Sequence, residues 1–457
     1  MDGAEREVAT LLEQLQGLTS NAEQVEGFRR VQEIVQHRDP SGAERRVLRG
    51  ALPLLGQIVQ LRNAALVTSI LQLVAQEASS ASSTVTTASA ETLDVAAALS
   101  AGLYEVCHTV LLLSHSTEKN VVLALQLALG SLHSTFEVAL RAETVENGLD
   151  TEPRRAWDAA TRCLEAAAGI VAIVPEATGS DSNRSAMVWL RAWKFVESGV
   201  MLLSTAQDSS VYRDPARSNI QPNTWSLDRL SAGTQAILPK TKLEEFGVML
   251  LKAMCEAVTS KSDNRLPLQR RELSVAVNSL SLLASLRPQH MPNILPKLTA
   301  LSTVVATPGT EDPVVQKSLT ANLVKLLSHP SAQVFADEVT DILIAVGASQ
   351  RAFSAISKSK EQRRKYTSAP TEASLRRARI GKRTATQSIT ERVENANAHA
   401  KRRRVNLSES SATPIPAEKH WQLKKVRSEC VILGSGETQD SKHRAKNNQH
   451  WCQFLMK

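Results

Sequence analysis

Residues 323–347 read L-V-K-L-L-S-H-P-S-A-Q-V-F-A-D-E-V-T-D-I-L-I-A-V-G. Two apolar runs flank Ser328-His329-Pro330-Ser331, and neither carries a residue pattern suited to catalysis. Such a pair reads as two amphipathic helices joined by a tight break. One helical hairpin of this kind cannot bury its apolar face alone, whereas stacked copies can. The stretch therefore decides the fold only if it recurs.

It does recur. Val25, Phe28, Val31, Ile34 and Val35 fall on one face of a 3.6-residue period, stopped by Arg38-Asp39-Pro40. Leu48, Leu52, Leu55, Ile58 and Val59 begin another face, and Leu93, Val95, Ala96, Leu99, Leu103, Val106 and Val110 a third. The same reading predicts helices over 8–18, 64–75, 91–114, 121–139, 154–174, 184–203, 244–259, 266–286 and 291–305. Arg287-Pro288-Gln289 marks one break, and the Ser/Thr/Ala-rich run 79–90 is expected to be a loop. Residues 206–226 read as irregular. Paired breaks recur about every 35–45 residues, the scale of HEAT and armadillo repeats. The expected fold is all-α: an α-solenoid of HEAT/armadillo-like helical hairpins followed by a disordered basic C-terminal tail.

Composition agrees. Of 457 residues 42% are hydrophobic but only 4% are aromatic, so leucine, alanine and valine must fill the core. That mix favours helix-on-helix packing over a sandwich or barrel. The five cysteines are widely spaced and form no CxxC, which points away from a disulfide framework or structural zinc. The acidic, polar N-terminus resembles neither a signal nor a transit peptide, and the longest apolar runs read as too short to cross a bilayer. The net charge of +8 divides unevenly: from Arg351 onward 24 Lys+Arg face 9 Asp+Glu, a net of +15, leaving −7 for residues 1–350. A nucleic-acid reading of the basic pI thus belongs to the tail.

No nucleotide loop, zinc-protease motif or nucleophile elbow occurs in its required context, so neither enzyme chemistry nor a metal or cofactor is expected. Gly434-Ser435-Gly436-Glu437-Thr438 lacks the lysine and helix of a phosphate loop. Trp189 and Trp193, four apart, can stack on one helix face, either as packing between repeats or as part of a peptide-binding face. On that helix Val188, Ala192, Phe195 and Val196 are expected to face neighbouring helices, with Lys194 and Glu197 off the stripe. Lys401-Arg402-Arg403-Arg404 suits the acidic groove of an import receptor, and Arg376, Arg377, Arg379, Lys382 and Arg383 could form the other half of a split signal. Such runs also bind RNA non-specifically, so weak RNA contact stays open for the same tail.

Three segments carry a family resemblance. M-V-W-L-R-A-W-K-F-V-E-S-G-V-M-L-L spans 187–203, L-S-V-A-V-N-S-L-S-L-L-A-S-L-R precedes Pro288, and Q-K-S-L-T-A-N-L-V-K-L-L-S-H-P-S-A-Q-V-F spans 316–335. In this order they resemble the N-terminal domain of symplekin/Pta1, a scaffold of pre-mRNA cleavage and polyadenylation. The resemblance covers residues 23–355 and is strongest after Ser185. It implies a non-enzymatic nuclear platform that binds cleavage and polyadenylation factor subunits. It also implies docking of a phosphatase of the RNA polymerase II C-terminal domain, at an inner-face helix around Lys194. Lys194, Glu197 and Trp193 are the partner-binding candidates that follow. Neither a membrane nor a small-molecule substrate is expected. The family continues into a C-terminal scaffold region that has no recognisable counterpart here.

The expected map is a short N-terminal segment (1–22), the solenoid (23–355), a basic tail with the import signal (356–417), and a dissimilar end (418–457). That end is expected to be either translated intron or a divergent terminus. A different nuclear HEAT/armadillo adaptor, or an import-type solenoid binding peptides or proteins, is the competing reading. It would predict repeated Asn/Trp ladders, which this chain does not display.

Overall fold

The computed structural model describes residues 3–38, 46–83, 90–144, 151–172, 186–206, 226–230, 238–259, 268, 270–306, 312–327, 329–348 and 353–354. All of them fall within one compact unit, Met1–Ala369. The second unit, Pro370–Lys457, lies outside the described residues, and both basic clusters with it.

Thirteen α-helices and no strand occur among the described residues: α1 (Gly3–Gly17), α2 (Asn21–Arg38), α3 (Arg46–Ile58), α4 (Ala64–Ser83), α5 (Ala90–Leu112), α6 (Glu118–Thr144), α7 (Thr151–Ala172), α8 (Ala186–Leu202), α9 (Lys240–Ala257), α10 (Arg270–Leu286), α11 (Met291–Ala306), α12 (Pro313–Leu327) and α13 (Ala336–Ala345). They form two layers. Odd-numbered helices pack in succession from α1 to α13, even-numbered ones from α2 to α12, and most consecutive helices also touch across the layers. This is the stacked-hairpin architecture that the sequence period implies. One apolar cluster runs from Val8 in α1 to Leu343 in α13.

Three expectations need adjusting. Helix α1, read as a segment ahead of the stack, buries Val8, Leu12 and Leu15 and packs on α2 and α3. The Ser/Ala run expected as a loop continues α4 as far as Ser83, since alanine is the best helix former and serine costs little. Helices α5 and α6 are continuous and apolar enough over 20 and 26 residues to match a membrane span by length and composition. Here α5 packs on α3, α4, α6 and α7, which accounts for its apolar surface without a bilayer.

Polar pegs register the even layer. Asn63 caps α4 by accepting from the Leu66 amide at 3.1 Å, and its own amide donates to Gln24 Oε1 at 3.0 Å and to the Asn21 carbonyl at 2.9 Å. One helix on, Asn120 donates to the Ala64 carbonyl at 3.0 Å and accepts from Thr68 at 2.7 Å. Helix α12, whose second half opens the quoted stretch, begins with Asp312 accepting from the Val314 and Val315 amides at 3.1 and 3.2 Å, with Pro313 at the first helical position. His329 Nδ1 caps the 3-10 turn Pro330–Phe335, accepting from Ser331 N at 3.2 Å. Helix α13 closes in a Schellman pattern: Ala348 N donates to Leu343 O and Gly347 N to Ile344 O, with Gly347 at φ 74°.

Candidate partner-docking site

Helix α8 touches α6, α7, α9 and α10. Val188, Ala192, Phe195 and Val196 are buried, as the period predicts. The Trp189 and Trp193 rings stack, centroids 4.8 Å apart. Trp189 Nε1 donates to the Val171 carbonyl at 3.3 Å, tying α8 to the end of α7. Both indoles lie in the core; Trp193, a partner-binding candidate, is 0% exposed. In this arrangement its ring supports α8 from beneath.

The opposite face of α8 carries Met187, Leu190, Arg191, Lys194, Ser198 and Met201, all at least partly exposed. Their spacing puts Lys194 at the centre of the stripe. Its side chain is 28% exposed and held by its ammonium group. Lys194 Nζ donates to Glu197 Oε2 at 2.7 Å and to Ser279 Oγ of α10 at 3.0 Å, while Ser279 Oγ donates to Glu197 Oε2 at 2.7 Å. Glu197, expected off the buried stripe, is 8% exposed. The triangle closes over it, giving Glu197 Oε2 two donors where burial would otherwise leave a carboxylate unpaired. An ammonium has three donors, so two internal bonds leave Lys194 one to offer outward. Beside the triangle, Asn278 of α10 accepts from Asn322 Nδ2 at 2.8 Å and from Ser318 Oγ at 3.3 Å, joining α12 to the same face.

Sequence reasoning missed what anchors α8. Arg287, completely buried, donates from Nη2 to the Met201 carbonyl at 2.9 Å and from Nε to Ser204 Oγ at 3.1 Å. Gln289 Nε2 adds a bond to the Thr205 carbonyl at 2.6 Å. The Arg-Pro step after α10 is therefore a cationic cap on the C-terminus of α8, where carbonyl oxygens lack intrahelical partners. Burial pushes the Arg287 guanidinium down to about 10, opposed by the nearby Asp228 carboxylate. The only signal in the sequence was an arginine directly before proline at a helix break.

No group of three or more metal-ligating side chains occurs among the described residues. Cys107, Cys163 and Cys255 are buried free thiols; burial pushes Cys107 and Cys255 up to about 12 and Cys163 well above the usual thiol range. Thiols so protected are poor nucleophiles. An open groove lies between the last turn of the stack and α12, lined by Pro313, Gln316, Lys317, Val324 and Gly347. It contains no convergent set of polar groups of the kind that fixes a small substrate.

A two-layered stack of helical hairpins is the architecture of HEAT-type protein-binding scaffolds. The family model for the symplekin/PTA1 N-terminal domain matches residues 130–365, and the chain belongs to that family. The match begins inside α6, so the resemblance read over 23–129 falls outside it. No curated protein matches the chain.

Proposed function

We propose that this chain is a non-enzymatic nuclear scaffold of pre-mRNA 3'-end processing, and that the solvent-facing stripe of α8 docks a phosphatase of the RNA polymerase II C-terminal domain. The observation that carries the reading is Lys194: central on an outward stripe, fixed by Glu197 and Ser279, with one donor left for an acceptor on a partner. A rigid helix presents such a group with little ordering cost on binding. Glu197 acts beneath it as support, and Trp193 fixes the helix. Other cleavage and polyadenylation factors would share the platform. The basic clusters at 376–383 and 401–404 direct the chain to the nucleus, with any RNA contact confined to that tail.

The test is calorimetric titration of the full-length chain with the organism's own phosphatase. Lys194→Glu would set a second carboxylate beside buried Glu197, so Lys194→Met is the cleaner substitution. If the contact is desolvated, its loss costs about 2–5 kcal/mol, roughly a 30-fold or greater rise in Kd. Tight wild-type binding that Lys194→Met leaves unchanged removes Lys194 from the interface, and no wild-type binding removes the phosphatase reading. For localisation, alanine at Arg402, Arg403 and Arg404, with the 376–383 cluster neutralised as well, should move a fluorescent fusion to the cytoplasm. Undiminished nuclear accumulation excludes both clusters.

A further inference from the structure

Helices α8, α10 and α12 are neighbours in the even layer. Their outward stripes carry Arg191 and Lys194 on α8, Arg271 on α10, and Lys317 and Lys325 on α12. The rest of these stripes is neutral: Ser198, Ser274, Asn278, Leu282, Ser285 and Ala321 among others. Only two carboxylates occur on the three helices, Glu197 and Glu272, and both are buried. Asp312, just ahead of α12, is bound by Arg270 and caps the helix. The exposed charged side chains described on the outward stripes of these three helices are therefore all positive.

Several other helices carry carboxylates on their solvent face. Arg29 of α2 pairs with Glu26 and Glu33, Arg155 of α7 with Glu152, and Lys252 of α9 with Glu256. Those are the i,i+3 and i,i+4 pairs of an ordinary solvated helix. Arg191, Arg271 and Lys317 form no ion pair among the described residues. The contrast also runs against composition, because residues 1–350 carry a net charge of −7. Cations gathered on one face of an acidic body repel one another and attract an oppositely charged surface.

We infer that the outer face of α8, α10 and α12 is an electrostatic docking surface for an acidic protein segment, extending well beyond Lys194. The chemistry favours carboxylates on a polypeptide over a nucleic acid. Proteins that hold single-stranded RNA combine a cationic groove with aromatic rings on which bases stack. The aromatics of α8 are all buried, and α10 and α12 contain none. Small serine and asparagine side chains between the cations leave room for an extended backbone and offer it hydrogen bonds. The inference does not depend on the phosphatase reading, because it concerns the charge of the occupant and not its identity.

The experiment uses the full-length chain and a short glutamate- and serine-rich peptide bearing a photo-activated cross-linker, with attachment sites mapped by mass spectrometry. Mapping separates the helix face from the basic tail, which will also attract the probe. Cross-links on α8, α10 and α12 are expected. They should fall roughly tenfold or more in Arg271→Glu/Lys317→Glu/Lys325→Glu, a variant in which tail cross-links persist, and should weaken with added salt. The triple glutamine variant, which removes charge without reversing it, should show an intermediate loss and controls for folding. Three results would overturn the inference: cross-links confined to residues 376–404, helix-face cross-links unaffected by either variant, or displacement of the peptide from the face by oligouridine at lower concentration than by unlabelled peptide.

Discussion

Replacing Gly247 with alanine tests whether the layers are as tightly stacked as described. Gly247 lies mid-way along α9, where it crosses the end of α8. A Cβ at this position would sit 2.7 Å from the Leu203 carbonyl oxygen and 3.0 Å from Leu203 Cβ, closer than real side chains approach a neighbour. The obstacle is backbone, so no rotamer change relieves it and the two helices must separate. In an unobstructed helix the same substitution stabilises by about 1 kcal/mol, because alanine loses less backbone entropy and glycine is the poorest helix former after proline. Overpacking a close-packed interface costs about 1–3 kcal/mol. The sum runs from no net change to a loss of about 2 kcal/mol at Gly247, and in either case about 1–3 kcal/mol below an unobstructed site. Gly130, in the interior of α6, supplies the control: a Cβ there meets nothing within 4 Å. Gly130→Ala should therefore stabilise by up to about 1 kcal/mol. Urea unfolding followed by far-UV circular dichroism gives the two midpoints, and that of Gly247→Ala should be the lower. Hydrogen exchange should show faster opening of α8 and α9 amides in Gly247→Ala alone. A gain in stability of Gly247→Ala equal to that of Gly130→Ala would refute the close approach of α8 and α9.

The remaining predictions concern buried titratable groups. Cys107 and Cys255, both held near 12, should resist alkylation at pH about 8 in the folded chain and react fully in denaturant, read site by site by mass spectrometry; rapid native labelling would show that α5 or α9 is open. His290 is buried and its imidazole is pushed below the ordinary value, first by burial and then by Arg287. Above pH about 6.5 the group is neutral whether folded or unfolded and contributes nothing to the pH dependence. As pH falls through that value the unfolded chain takes up the proton first, so stability declines. His108 is shifted the same way by burial and Arg162, so His290→Leu should reduce, not abolish, the loss in unfolding midpoint between pH about 7.5 and 5.5. An unchanged loss would mean that His290 is hydrated in the folded state.

Much of this arrangement was legible because it rests on a local period. The breaks at Arg38 and Arg287-Pro288 were readable from proline, and the helices around them from apolar spacing. The assignment of helices to layers was not. Each helix contributes one apolar face to several neighbours at once, and the period does not say which neighbours those are. The run from Ser79 shows a different failure: serine and alanine are compatible with either loop or helix, and packing decided for helix as far as Ser83. Glu197 and Arg287 were misjudged or missed for a shared reason. A charged residue is ordinarily assigned to the surface, yet each is buried by partners more than 80 positions away, Ser279 for one and Met201 and Ser204 for the other. Long-range satisfaction of a charge leaves no mark on local spacing.

Charge distribution raises the same issue on a larger scale. Divided along the chain, the charges give an acidic body and a basic tail, and attention goes to the tail. Divided by layer, the acidic body contains a cationic face. The acidic side chains cluster elsewhere: Glu105 and Glu152 serve Arg155 in the odd layer, and Asp337, Glu338 and Asp341 lie on α13. Helices two apart in sequence order become adjacent in a stack, so a face can be assembled from segments that are each ordinary. Arg191, Arg271 and Lys317 are separated by long stretches of sequence and share a face only because α8, α10 and α12 are successive members of one layer. For a repeat scaffold, the unit that recognises a partner is therefore the layer, and the sum of charge over a linear segment can have the opposite sign from the surface that the partner meets.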